Sequence, residues 1–425
     1  MNILIKGGHV VDPANKCDGI FDILIEKGAI SLIEKSITKE GAKVIDARGK
    51  FVLPGLVDMH AHLRQPGRED EETLYTGSLA AIKGGFTSVC CMPNTNPAID
   101  NQGVVEYIYS ENKKIGLINI YPIGAITKNR EGNQLTEMGE LKKAGIVAVS
   151  DDGSPVLNAE IMRRALEYTK MFNLTVVSHC EDKNLSAGGF INEGYCSTVM
   201  GLKGIPAEAE SVMVAREVEL ARLTGSKIHI AHVSTFGSVE LIRRAKKEGI
   251  KITAETCPHY FSLNEEDVFG YNTNFKVNPP LRTKEDVISI KEGLKDGTID
   301  VIATDHAPHA DFEKDIEFEQ AAFGMIGLET ALSITITELL NSGVINLKQL
   351  VEKMSFNPGR ILNLNKGTLS LGADADLIIL DIKREWTVEK EKIVSKSKNS
   401  PYLGWVLPGK ITCVICQGKI ISAAQ

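Results

Sequence analysis

Eight short apolar runs, rich in β-branched residues, recur between positions 53 and 304. They span 53–60, 86–92, 117–124, 145–151, 174–179, 227–232, 251–256 and 300–304. Runs of this length read as strands buried on both faces. Between them lie segments such as 159–168 and 207–223, whose apolar residues recur near every 3.6 positions, as on an amphipathic helix. Strands that alternate with helices pair in parallel. Eight such units predict an α/β chain folded as a (β/α)8 barrel of the TIM type. An open doubly wound sheet is the alternative, but it calls for a glycine-rich phosphate turn after the first strand. Here the apolar run 51–57 leads instead into Asp58-Met59-His60-Ala61-His62-Leu63-Arg64.

The two ends of the chain differ from its middle. Residues 1–52 are short β-like pieces separated by Gly, Asp and Lys, and the last sixty residues look alike. Neither end is large enough for a comfortable core of its own. Chain termini often lie close together, so one small β-sandwich-like domain is expected from 1–52 and 366–425, beside a barrel of 53–365. The net charge of -7, without a basic block, argues against a nucleic-acid surface. No apolar run approaches the ~20 residues that span a bilayer. The first eight residues read as a strand and turn, not as a secretory signal. The eight scattered cysteines are then expected as reduced thiols in a soluble cytoplasmic protein. Cys413-x-x-Cys416 lies in an alternating strand and has no second pair to complete a zinc site, so it reads as ordinary strand residues.

In a parallel barrel the active site lies where strands run into their following loops. That turns scattered residues into one set. The first run ends at His60, His62 and Arg64, which share a face if the strand stays extended. The second ends in Cys91-Met92-Pro93-Asn94-Thr95. Later runs end in Ser150-Asp151-Asp152-Gly153, in Ser178-His179-Cys180-Glu181, in His229-Ile230-Ala231-His232, and in Thr304-Asp305-His306-Ala307-Pro308-His309. Four imidazoles and two carboxylates meeting at one mouth suit Zn2+. Strand parity selects Asp152 over Asp151, with a one-residue slip as the alternative, and His232 over His229. His306 should point away from Asp305, and His229 should pack beneath the helices or meet a backbone group. His259, in a loop, could support the ligands from behind, and His9 reads as a surface residue.

These motifs, with Ala303 to His309 and Phe323-Gly324-Met325-Ile326-Gly327-Leu328-Glu329-Thr330, closely resemble the bacterial type I dihydroorotases over nearly the whole chain. His-x-His alone marks only the wider amidohydrolase group; its combination with Arg64, Asn94 and the 303–309 run is far more specific. The resemblance implies one or two zinc ions per subunit. His60, His62 and Asp305 would hold the first, His179 and His232 the second, and Asp152 would bridge them. Many relatives bridge with a carboxylated lysine, and this run ends without one. Gln65 stands where the family often has Glu, at a position that is not a ligand.

By the same resemblance, Arg64, Asn94 and His309 would grip the carboxylate of dihydroorotate. Asn278 and the backbone at Phe323 and Gly324 would position the ring, with His62 alongside. The implied reaction is the reversible hydrolysis of the cyclic amide to N-carbamoyl-L-aspartate in pyrimidine biosynthesis. Hydroxide generated at zinc attacks the ring carbonyl, and Asp305 serves as base and then acid. A homodimer and an association with aspartate transcarbamoylase are the implied partners. The rival readings are an allantoinase or hydantoinase, and a non-catalytic scaffold for aspartate transcarbamoylase. Arg64 argues against the first, and the full ligand set against the second. The acidic stretch 310–319 reads either as a mobile lid or as a solvated segment.

Overall fold

A computed structural model describes residues 2–423. The chain opens with β1 (Ile3–Asp12), β2 (Cys17–Glu26), β3 (Ala29–Glu34), β4 (Lys43–Asp46) and β5 (Phe51–Pro54). Eight further strands follow, separated by helices: β6 (Leu56–Ala61), β7 (Phe86–Cys91), β8 (Asn119–Pro122), β9 (Ala148–Ser150), β10 (Thr175–Ser178), β11 (Ile228–Ile230), β12 (Ile252–Thr256) and β13 (Val301–Ile302). The chain closes with β14 (Leu377–Asp381), β15 (Lys410–Cys416) and β16 (Lys419–Ala423).

Strands β6 to β13 pair in parallel, each with its sequence neighbour. Two parallel bridges complete the ring: Gly124 with Val149 joins β8 to β9, and Ala61 with His306 joins the end of β13 back to β6. The fold is therefore a closed (β/α)8 barrel. Its interior is filled by small and medium apolar residues from around the ring, including Met59, Cys90, Val177, Ala231 and Ala303.

The outer helices form for local reasons. Helix α1 (Leu74–Gly84) starts at Thr73, whose side chain accepts from Thr76 N, and it ends at Gly85 in the left-handed conformation, φ +88°. Helix α2 (Ala159–Lys170) buries Met162, Ala165, Leu166 and Thr169, at the spacing of one helical face. Its outward residues form ion pairs, such as Arg164 with Glu160 at 2.8 Å.

Strands β1 to β5 and β14 to β16 form one eight-stranded sheet in the order β16-β15-β14-β5-β1-β2-β3, with β4 on β1. Both termini contribute to its core, through Ile3, Ile23 and Val52 from one end and Leu377, Ile379 and Ile415 from the other. The junction differs from the expectation. The apolar run 51–57 is not one strand but two in different sheets: β5 pairs with β1 and β14, and β6 pairs with β7. Gly55 is the hinge, because a Cβ there would stand 2.1 Å from Thr87 Oγ1. The stretch 386–407 also departs from the sheet and packs on the barrel, where Asn399 Nδ2 donates to the carbonyls of Ala307 and Gly324. All eight cysteines are free, and Cys413 and Cys416 are buried on β15. Among the described residues, no helix is long and apolar enough to cross a membrane.

Candidate metal and active site

The strand ends at the barrel mouth bring His60, His62, Asp152, His179, His232 and Asp305 together, all buried. Asp152 is the hub. Its Oδ1 lies 3.4 Å from His60 Nε2, 3.5 Å from His179 Nδ1 and 3.4 Å from His232 Nε2. Its Oδ2 lies 3.5 Å from His62 Nε2. Asp305 Oδ1 is 3.1 Å from His62 Nε2 and 3.5 Å from His60 Nε2. Ligand atoms of His60, His62 and Asp305, and of His60, Asp152 and His232, each fall within 4.8 Å of one another. His60 thus borders both groups, whereas the resemblance assigns it to one.

Local backbone geometry aims these side chains. Between Asp58 and Ala61, β6 carries one more residue than β7 does between Val89 and Cys91. This is a bulge, and it lets Met59 and His60 both oppose Cys90 on the inner side. His232 and Asp305 sit at φ +33° and +46°, left-handed values that non-glycine residues rarely adopt. Asp151 turns away to accept from the backbone N–H groups of Ile126 and Thr127 at 2.8 and 3.1 Å.

Neighbouring groups orient the imidazoles. Glu255, on β12, accepts from His60 Nδ1 at 2.5 Å. That hydrogen bond places a proton on Nδ1 and turns Nε2 towards Asp152. Asn94 Oδ1 does the same for His62 Nδ1 at 2.8 Å, and Glu181 does it for His179 Nε2 at 2.9 Å. His60 Nε2 and Asp152 Oδ1, 3.4 Å apart in the cluster, are buried with no hydrogen-bond partner. Orphaned polar atoms of this kind are costly in a closed interior. A divalent cation would satisfy them, so the donor set fits a metal ion.

Electrostatics agree with that fit. Burial opposes ionisation of Asp152 and Asp305, yet the facing imidazoles, His60 foremost, hold both below the usual carboxylate range. Burial likewise opposes the charging of His60, but Asp152, Glu255 and Asp305 raise its pKa overall. Such mutual stabilisation marks a site that concentrates opposite charges.

A cavity of about 500 Å³ opens over the cluster, lined by His62, Arg64, Asn94, Asn278, His309, Phe323 and Gly324. Arg64 lies with its Nη2 3.2 Å from His309 Nε2. Asn278 Nδ2 donates to Glu181 at 3.0 Å. The Phe323 carbonyl is 2.9 Å from His309 Nε2, and Gly324 takes φ +139°, where a Cβ would press within 2.8 Å of Ala307 Cβ. A larger cavity of about 740 Å³, between the terminal sheet and the barrel, holds none of these residues.

The other histidines divide. His306 turns from the cluster, with Nε2 3.3 Å from Glu72 and Nδ1 accepting from Gly327 N. His9 pairs with Asp18 at 2.6 Å on the sheet surface. His259 is buried beside Cys257 and Asp305, and burial pushes its pKa down to about 4. His229 departs from expectation. It does not meet a backbone group but lies 3.2 Å from Glu255 Oε2, so one carboxylate holds His229 and His60. Sequence reasoning drew nothing from Glu255, although it sits near the end of a run already read as a barrel strand. Glu71 and Glu181 were missed as well. They follow no strand-parity rule, being on loops.

Comparison with known proteins follows the same lines. A family model described as "Dihydro-orotase-like" matches residues 49–238. The dihydroorotase of Acetivibrio thermocellus is 56% identical over 419 residues, covering 99% of this chain and 98% of that one. That of Pelotomaculum thermopropionicum is 55% identical over 421 residues, with the same shares. Among solved structures, the L-hydantoinase of Arthrobacter aurescens superposes with a TM-score of 0.89 at 26% identity, covering 100% of this chain and 96% of that one. Identity of this order over nearly the full length of both chains, with the metal-type cluster intact, shows that the chain belongs to the dihydroorotase family.

Proposed function

We propose that this cyclic amidohydrolase catalyses the reversible hydrolysis of dihydroorotate to N-carbamoyl-L-aspartate, the ring-closing step of pyrimidine biosynthesis when run in reverse. The observation that carries the reading is one cavity that joins two chemistries. On one side lie His62, Asp152, His179, His232 and Asp305, with His60 buried behind them, and on the other Arg64 and His309. Imidazole and carboxylate donors together favour zinc, in one or two positions. When bound, such an ion lowers the pKa of water towards neutrality and polarises a carbonyl.

The chain's own residues supply the rest. Asp305, ionised beside His62, accepts a proton from the attacking water and returns it to the departing ring nitrogen. One carboxylate can serve as base and then as acid. Arg64, with Asn94 and His309, holds the substrate carboxylate, while Asn278 and the backbone at Phe323 and Gly324 seat the ring. Hydrolysis creates a second carboxylic acid that ionises at neutral pH, so opening releases a proton and acid favours closure. Hydantoins and allantoin lack the carboxylate that Arg64 would grip, so they forgo that charged contact and are penalised.

The test is a spectroscopic assay on dihydroorotate, hydantoin and allantoin, before and after chelation and with metal analysis. Turnover of dihydroorotate alone, lost on chelation and restored by zinc, is the expected result; preference for hydantoin or allantoin overturns the reading. Arg64→Met is expected to raise KM for dihydroorotate about 10- to 100-fold, since hydrogen bonds to charged groups contribute about 1.5–3 kcal/mol. Unchanged KM and kcat would remove Arg64 from the site. On the family resemblance alone, the same reading makes the chain a cytoplasmic homodimer and a candidate partner of aspartate transcarbamoylase. Sedimentation with and without that enzyme measures both associations.

A further inference from the structure

Beside the cavity lies a buried carboxylate with no role in the reaction as derived above. Glu71 precedes α1 and is 1% exposed. Its two oxygens divide between two groups of the cavity wall. Oε1 lies 2.8 Å from His309 Nδ1 and 3.2 Å from Arg68 Nη2, and Oε2 lies 2.8 Å from Arg64 Nε. Arg68 is held in turn by Glu313 at 2.7 Å.

These distances place the protons. An ionised carboxylate only accepts, so His309 carries its hydrogen on Nδ1. A guanidinium only donates, so Arg64 Nη2, 3.2 Å from His309 Nε2, meets that nitrogen's lone pair. The Phe323 carbonyl, 2.9 Å from the same Nε2, favours the opposite tautomer. Without Glu71, His309 would donate to Phe323, and its Nε2–H would face the N–H of Arg64. Glu71 Oε2 also pairs by charge with Arg64 beside Nε, whose hydrogen goes to the Pro308 carbonyl at 3.1 Å, so that oxygen accepts no hydrogen bond. Among the described residues, Arg64 Nη1 makes no hydrogen bond, and Arg64 lines the cavity.

We propose that Glu71 is the positioning residue of the carboxylate subsite: it pairs with the charge of Arg64 and selects the Nδ1–H tautomer of His309. The inference rests on the functional reading above for its substrate. Glu71 does not touch that substrate. It acts through its charge beside the guanidinium and by keeping His309 Nε2 an acceptor for Arg64.

Glu71→Gln tests this in the metal-loaded, full-length protein. The amide keeps the volume but accepts at one atom only, so its NH2 group must face either His309 Nδ1 or Arg64 Nε. KM for dihydroorotate is expected to rise about 10- to 100-fold, with kcat within about threefold and metal content unchanged. Nitrogen-15 spectroscopy of labelled histidine is expected to show His309 moving from the Nδ1–H to the Nε2–H form. Glu71→Asp, which keeps the charge, is expected to recover part of the loss and the original tautomer; it replaces the glutamine variant if that fails to fold. Unchanged KM overturns the proposal. So does a raised KM with the His309 tautomer unmoved, which would mark a merely structural ion pair. If the wild type does not turn over dihydroorotate, the functional reading fails, while the tautomer measurement still decides the role of Glu71.

Discussion

Asp305 occupies a backbone conformation, φ +46°, that costs a non-glycine residue about 1–3 kcal/mol and persists only where its surroundings impose it. It is wedged between His62 and His60 at 3.1 and 3.5 Å. Asp305→Ala is expected to leave the fold and most metal binding intact while lowering turnover about 10²- to 10⁴-fold. Near-wild-type turnover in a metal-loaded preparation would refute its role as base. Glu255 sets the tautomer of His60 and faces His229 from its other oxygen. Glu255→Gln should weaken metal binding about 10- to 100-fold, read by titration against a competing chelator, because partners behind a ligand tune it to that extent. An unchanged affinity would mean that His60 is oriented by packing alone. At this scale the ligands were legible in the sequence, since His-x-His and Asp-Asp at strand ends are a pattern that alternation can sort. The residues behind them were not. Nothing local in 251–256 says that Glu255 turns inward to meet a histidine from each of two other strands.

Gly55 shows how one position divides two elements. Its carbonyl accepts from Ser355 Oγ at 2.7 Å and its N–H donates to Asp376 at 2.9 Å, so the hinge is tied on both sides. Gly55→Ala would drive a methyl group into buried Thr87 and force β6 away from β7, at a cost of about 1–3 kcal/mol. Chemical denaturation measures it, and a variant as stable as wild type would show that the strands can part there freely. The segment after β13 has an equally physical account. Lys276 Nζ donates to the carbonyls of Phe318 and Glu319 at 2.7 and 2.9 Å. Lys314 Nζ donates to those of Ala322 and Gly324 at 2.8 and 3.0 Å, and burial pushes its pKa down to about 7. Two buried amines thus grip the backbone beneath an acidic surface. Periodicity located the eight barrel strands to within a few residues. It merged 51–57 into one strand because an apolar run carries no mark of which sheet each half joins.

For the molecule as a whole, the cluster ties together strands from distant parts of the ring, so an ion bound there belongs to the folded state only. Such binding stabilises by about 2.7 kcal/mol at a hundredfold excess over Kd. Stripping the metal is expected to lower Tm, and zinc to restore it; an unchanged Tm would mean that no ion links those strands. By itself the amino-acid order determined the alternation of strand and helix, and hence the barrel and the kinds of donor at its mouth. Only the closed ring decided which nitrogen of each histidine faces inward and which carboxylate stands behind it. The reason is that a bulge at Met59 and His60 and left-handed turns at His232 and Asp305 aim side chains through contacts across the barrel, which no stretch of chain contains alone.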